Sequence, residues 1–466
     1  MRERSGWSRS AGGGGLDAGW RGSILLALVA LLLGPLACAR ESSEPARPVP
    51  VDAGMLAVRC GSLIDGLSDE VTRNTTVLIE QGRIVAVGTD VSVPSGAEIL
   101  DLSSYTVLPG LIDMHTHIME RPEETADLSV YFDITREETL HTGRENAEIT
   151  LLAGFTTIRN LGAYHGWSAK QLRDEIDRGE AIGPRMQVAG YYLTIPGGGG
   201  DLVVPGVPQE QIPAEVRMGV ARGAEEFRRK AQAAIAGGAD VLKVIASGAV
   251  LAYGGIPGDP EMTPEEIRAV AEVAHAAGKK LAAHAHGARS IKEAIVAGAD
   301  TIEHASLIDE EGILLAREHG VALSMDVYDG DYIDTEGRRQ GWPQEFLDKN
   351  LATTERQRQG FSRAHERGVS IVYGTDAGVY PHGDNAKQFR LMVEHGMTPM
   401  QAIQAATSVS ARTMGWSDRV GAVAPGLFGD LIAVRGDPLS DITALEEVAF
   451  VIKGGQIVKR PGAQTR

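Results

Sequence analysis

Apolar and polar positions change their spacing several times along this chain. Residues 54–108 alternate in short segments, MLAVRCG, VTRNTTVLIEQGRIVAVG and AEILDLSSYTVL, with a Gln81-Gly82 turn between VLIE and RIVAVG. Alternation at period two around a glycine turn predicts strands and a hairpin. The stretch 421–459 repeats that style in DLIAVRGDP and EVAFVIKGGQIVK, turning at Gly454-Gly455. Two β-rich ends around a different middle predict one small β-sandwich domain built from residues 54–110 and 421–460.

The middle alternates at a longer scale. Eight apolar, strand-like runs recur: LIDMHTH, TTIRNLGA, RMQVAGYYL, DVLKVIASG, KLAAHAHG, TIEHASL, VALSMDVY and SIVYGTDAG. Helical patterns such as TPEEIRAVAEVAHAAG and SIKEAIVAG lie between them, often closing on the glycine that caps a helix C-terminus. Eight β–α units predict an α/β fold, a (β/α)8 TIM barrel over residues 111–420. Such barrels gather their chemistry at the C-terminal ends of the strands.

The start of the chain belongs to neither pattern. Arg2, Arg4, Arg9 and Arg21 precede the apolar run ILLALVALLLGPLA, which is short for a bilayer span and is followed by small residues. Residues 1–38 therefore predict a secretory signal, and an exported protein of the bacterial periplasm or its membrane. The run ends LGPLAC, which resembles a lipoprotein signal with Cys38 as the candidate lipid anchor. Residues 39–53, rich in Pro, Ser and Glu, predict a flexible tether. Cys60 is the other cysteine, so no disulfide framework is expected. The hydrophobic fraction of 43% places the body of the chain among globular proteins. The net charge of −17 argues against a nucleic-acid partner, which would need a basic footprint.

Of the twelve histidines, His275, His319, His365 and His395 stand just before helix-ending glycines and read as ordinary surface or dipole-favoured residues. Another set falls at the expected strand ends. His115 and His117 close strand one and share a face, because i and i+2 do so in a strand. His284 and His286 close strand five, His304 closes strand six, and Asp376 closes strand eight. Imidazoles crowded together need partners, and a metal satisfies several at once. Lys243 lies within the apolar strand DVLKVIASG. A buried ammonium is costly, so the side chain either reaches to the strand end or stays neutral. A neutral amine can take up carbon dioxide and become a carbamate, an anionic oxygen ligand able to bridge two metals.

Taken together, HTH after PGLID, the strand-four lysine, His284, His304 in IEH and Asp376 in GTDAG resemble the amidohydrolase superfamily. More narrowly they resemble its prolidase-like branch of bacterial metal-dependent Xaa-Pro and Xaa-Arg/Lys dipeptidases and carboxypeptidases, to which a fungal ochratoxin-hydrolysing amidase is also similar. The resemblance covers roughly residues 54–459. It implies that His115, His117 and Asp376 hold one zinc, that His284 and His304 hold a second, and that carboxylated Lys243 bridges them. It makes Asp376 the catalytic proton acceptor. Tyr253, His286 and His165 become candidate substrate contacts, with an outer role orienting a ligand as the alternative. One departure stands out: members of the branch often carry GGHG after strand three, and here the loop reads IPGGGGD, with Gly199 where that histidine would fall.

The expected function is a binuclear metal-dependent hydrolase of a peptide or N-acyl amino acid amide bond, with a small peptide as favoured substrate. Hydrolysis of another amide, an ester or a lactone at the same centre is the alternative among enzymes. A metal-free scaffold is the alternative outside them, and the full ligand set weighs against it. A homo-oligomer remains open.

Overall fold

The computed structural model describes residues 54–462. The expected signal at 1–38, the Cys38 anchor and the tether at 39–53 lie outside the described residues. The first elements are four strands, β1 (Leu56–Ile64), β2 (Val71–Glu80), β3 (Arg83–Gly88) and β4 (Glu98–Pro109). The Gln81-Gly82 turn joins β2 to β3 as an antiparallel hairpin.

Each of the eight apolar runs of the middle contains a strand: β5 (Leu111–Thr116), β6 (Phe155–Asn160), β7 (Arg185–Val188), β8 (Val241–Ile245), β9 (Lys280–Ala285), β10 (Thr301–His304), β11 (Ala322–Ser324) and β12 (Ile371–Val372). All pair in parallel and in chain order, as β5-β6-β7 and β8-β9-β10-β11-β12. Backbone hydrogen bonds continue across both gaps between these sheets. Just past β7, Leu193 N donates to Lys243 O at 2.9 Å, and Ile245 N donates to Leu193 O at 2.9 Å. At the other gap, Asp376 N donates to His115 O at 2.8 Å and His117 N to Ala377 O at 2.7 Å.

Helices follow most of the strands: α1 (Arg136–Leu152), α2 (Trp167–Asp177), α3 (Ala224–Ala236), α4 (Pro264–Ala276), α5 (Ala288–Ala297) and α6 (Glu310–His319), with a longer one at Gln344–Glu366 before β12. Helix α4 shows how local sequence fixes them. The Thr263 side chain accepts from Glu266 N while the Glu266 side chain reaches back to the cap, and Pro264 opens the first turn. Its Ile267, Val270, Ala271 and Ala274 face inward at helical spacing. They meet Leu242, Val244, Leu281 and Ala283 from the outer faces of β8 and β9 in the main apolar cluster. Period-two alternation turns the intervening Lys243 and His284 the other way, which is how a fully buried strand delivers chemistry to its interior.

The last strands, β13 (Leu431–Val434), β14 (Val448–Lys453) and β15 (Gln456–Lys459), join the first four. The strands of the expected sandwich are hydrogen-bonded in one continuous order, β15-β14-β13-β4-β1-β2-β3. The reason is the length of β4. Its 12 residues pair with β1 in parallel along much of their course and with β13 in antiparallel at the far end. Strands from both chain ends are therefore stitched into one sheet around a cluster of Val58, Val77, Leu102, Leu431 and Ile452. Gly61 permits the close β1–β4 approach, since a Cβ there would stand 2.1 Å from Ser103 O.

Candidate metal centre

The interior-facing side chains at the ends of β5, β8, β9 and β10, and just past β12, converge on one pocket. Asp376 Oδ1 lies 3.2 Å from His115 Nε2 and 3.0 Å from His117 Nε2. On the other side, the rings of His284 and His304 are 4.5 Å apart, and His286 stacks on His304 at 4.7 Å. His115 and His304, at 5.0 Å, connect the two halves. Each trio, His115–His117–Asp376 and His284–His286–His304, has one ligand atom per residue with all three within 4.8 Å of one another. Lys243 projects between them. Its Nζ is buried and has no hydrogen-bond partner, and Asp376 Oδ1 is likewise unsatisfied. Burial lowers the lysine to about 8, against the pull of Glu303 and Asp376. Imidazole nitrogens and carboxylate oxygens crowded around orphaned polar atoms fit a divalent metal pair, and this donor set suits zinc.

A ring nitrogen that faces a carboxylate or carbonyl carries the proton, which leaves its other nitrogen free for a metal. His304 Nδ1 faces Asp326 Oδ2 at 2.9 Å, and Gln357 Nε2 donates to Asp326 Oδ1 at 2.9 Å. His117 Nδ1 lies 3.1 Å from Gly162 O. His284 is turned the other way, with Nε2 3.4 Å from Gly248 O, so its Nδ1 is the free nitrogen. His115 Nδ1 lies 3.1 Å from Glu303 Oε2, close in distance although poorly aligned for a hydrogen bond. Glu303 Oε1 accepts from Arg159 Nη2 at 2.8 Å, and all three side chains are buried.

Glu303, Asp326, Arg159 and Glu120 are absent from the sequence-based site. The signal for Glu303 was there in IEH, but strict alternation sends one of two adjacent residues outward. His304 escapes that rule because its backbone takes φ 69°, in the left-handed region, so Glu303 and His304 both reach the centre. Asp376 sits at φ 58°. Such backbone concentrates at functional sites.

The other expected contacts divide. His286 lines the pocket, with its Nδ1 2.7 Å from Ser306 Oγ. Tyr253 does not: its ring packs on Phe346 at 4.8 Å, and Leu251 takes the wall position on that loop. His165 also stands outside the lining, with Nε2 buried. The aromatic residue that meets a predicted ligand is Tyr192, whose hydroxyl is 3.0 Å from His117 Nδ1 and donates to Glu120 Oε1 at 3.1 Å. Burial in the pocket wall raises the Glu120 carboxyl to about 7. Gly199 lines the pocket, and its N–H donates to Glu261 Oε2 at 2.8 Å. A Cβ there would come within 2.9 Å of the Ala249 Cβ and backbone nitrogen, so this loop path has no room for a side chain.

The amidohydrolase family pattern matches residues 106–458. The chain belongs to the amidohydrolase family. This amidohydrolase is similar to ochratoxinase of Aspergillus niger, 30% identical over 465 residues that cover 92% of this chain and 94% of that protein. Among solved structures it is similar to a Xaa-Pro dipeptidase with methionine bound in its active site. That match has 34% identity and a TM-score of 0.79, over 87% of this chain and 100% of the other. A prolidase complexed with N-methylphosphonate-L-proline has 27% identity and a TM-score of 0.81, at the same coverage of both chains.

Proposed function

We propose that this chain is an exported, binuclear zinc amidohydrolase that cleaves a peptide or N-acyl amino acid amide bond, with a dipeptide as the favoured substrate. The eight parallel strands and the hydrogen bonds across both gaps support reading residues 111–420 as a closed (β/α)8 barrel that carries the chemistry. The single observation that carries the proposal is Lys243, a buried amine with no partner, between His115, His117, His284, His304 and Asp376.

His115, His117 and Asp376 would hold one metal, His284 and His304 the other, and Lys243, carboxylated by carbon dioxide, would reach both. A neutral amine is the form that takes up carbon dioxide, and burial moves Lys243 toward that form. When bound, the two ions polarise the scissile carbonyl and bring the pKa of an attacking water toward neutrality. Asp376 accepts that water's proton and returns it to the leaving amine. Its Oδ1 lies 3.2 Å from His115 Nε2 and 3.0 Å from His117 Nε2, and a cation held among them would keep the carboxyl ionised and able to accept. Asp326, Gly162 O and Gly248 O set the tautomers of His304, His117 and His284, so that their free nitrogens need no rearrangement.

A panel of dipeptides and N-acyl amino acids, run beside esters and lactones on zinc-loaded protein, tests the reading. Hydrolysis of amides supports it, and turnover of lactones or esters alone overturns it.

A further inference from the structure

One arm of the pocket has a composition that amide hydrolysis does not require. Beside His117, the wall is made by Tyr131, Tyr164, Tyr192 and Glu120. The three rings form a continuous wall, with Tyr131 and Tyr164 4.6 Å apart and Tyr164 and Tyr192 5.7 Å apart. Glu120 Oε1 accepts the Tyr192 hydroxyl at 3.1 Å, whereas Oε2 accepts no hydrogen bond among the described residues. Tyr192 in turn meets His117 Nδ1, so Glu120 lies two hydrogen bonds from a residue of the metal centre.

The charge inventory of the lining is one-sided. Apart from Lys243, the fixed cation among the described lining residues is Arg121, and it is already paired with Glu145. Of the acids outside the metal centre, Asp326 is taken by His304 and Gln357, and burial beside Asp326 pushes the Asp329 carboxyl up, toward its neutral form. Glu120 is the carboxylate of the tyrosine wall, and its Oε2 is left for a ligand. A carboxylate that meets a tyrosine hydroxyl beside a row of tyrosine rings suits an ammonium or guanidinium group, through a charge-assisted hydrogen bond and cation–π attraction.

The geometry points to Glu120, with the Tyr131–Tyr164–Tyr192 wall, as the element that selects a cationic group on the substrate. The assignment rests on the amide-hydrolase reading above. The cation has two sources in a dipeptide, the free α-ammonium and a basic side chain, and both offer the same chemistry to Glu120.

The test compares zinc-loaded wild type with Glu120→Gln, which keeps an acceptor for Tyr192 and removes the charge. Glycyl-lysine, glycyl-norleucine and the N-acetylated copy of each are the substrates. In wild type, the form carrying the recognised cation should be favoured by about tenfold or more in kcat/KM, the scale of one charge-assisted hydrogen bond. In Glu120→Gln that ratio should collapse toward unity, mainly through KM. Loss of the preference on acetylation assigns the α-ammonium, and loss on replacing lysine by norleucine assigns the side chain. A wild type indifferent to both changes overturns the proposal, as does a preference that survives in Glu120→Gln with metal content intact. Calorimetric titration of the zinc-loaded proteins with n-butylamine and n-butanol separates this result from the hydrolytic reading, since it needs no turnover. Tighter binding of the amine that disappears in Glu120→Gln supports the cation site even if no dipeptide is cleaved. Equal binding of amine and alcohol by wild type overturns the site even if dipeptides are cleaved.

Discussion

Glu303 lies beneath His115 and is not part of the pocket wall, so changing it isolates what the buried charge network contributes. Its oxygens meet three neighbours: Arg159 Nη2 at 2.8 Å and the Thr301 hydroxyl on Oε1, and His115 Nδ1 at 3.1 Å from Oε2. The Arg159 and Glu303 side chains are 1% and 0% exposed. Glu303→Ala leaves that guanidinium buried without its anion, and breaking a buried pair in this way costs about 3–5 kcal/mol. Glu303→Gln keeps the volume and one acceptor oxygen, so the loss of stability is smaller, but His115 still loses the negative charge beside its Nδ1. Outer partners of metal ligands typically contribute about 10–100-fold in metal affinity. Chelator competition on zinc-loaded protein should show that weakening in both variants. Urea unfolding should rank wild type above Gln and Gln above Ala. Combining Arg159→Met with Glu303→Leu should recover part of the stability lost in Glu303→Ala, because no unpaired charge remains. Unchanged metal retention in Glu303→Gln, with a double variant no more stable than Glu303→Ala, would show that Glu303 supports neither His115 nor Arg159.

Asp376→Asn keeps the shape but cannot accept a proton, so kcat should fall by at least about 10²-fold. The same factor should appear in kcat/KM, and a variant that raised KM alone would reassign Asp376 to substrate binding. Lys243→Ala should lose most of its metal and activity, with partial rescue by short-chain carboxylic acids plus zinc; unchanged rate and metal content would contradict the bridging role. Gly199→Ala forces a Cβ to within 2.9 Å of Ala249, so the loop must shift. Overpacking of this kind costs about 1–3 kcal/mol, and thermal melting should move down accordingly; an unchanged melting temperature would show that the loop has slack there.

The eight central strands were legible because each is an apolar run followed by turn chemistry, and because burial on both faces leaves little ambiguity about where a run ends. The convergence of His115, His117, Lys243, His284 and Asp376 could be read as well, since period-two alternation and the strand ends fix where such side chains go. What escaped depends on backbone that alternation does not describe. The left-handed turn at His304 brings Glu303 and His304 inward together, and nothing in the letters IEH announces it. Asp326 lies just past the end of β11, where one acidic residue in a loop looks like any other. The tyrosines show the same limit: Tyr253 and Tyr192 both follow strands, and only the paths of the loops decide that Tyr253 packs on Phe346 while Tyr192 meets His117. At the chain ends the strand pattern was visible, but the order in which the strands join turns on how far β4 extends past β1, a property of pairing and not of pattern.

In the proposed reading, two divalent ions held by these side chains are indispensable to hydrolysis. Metal content measured alongside amidase activity, through removal by a strong chelator and titration back with zinc, tests it most directly. About two ions per chain are expected at full activity, none of that activity in stripped protein, and recovery that saturates near the same ratio. Full activity in rigorously metal-free protein would contradict it.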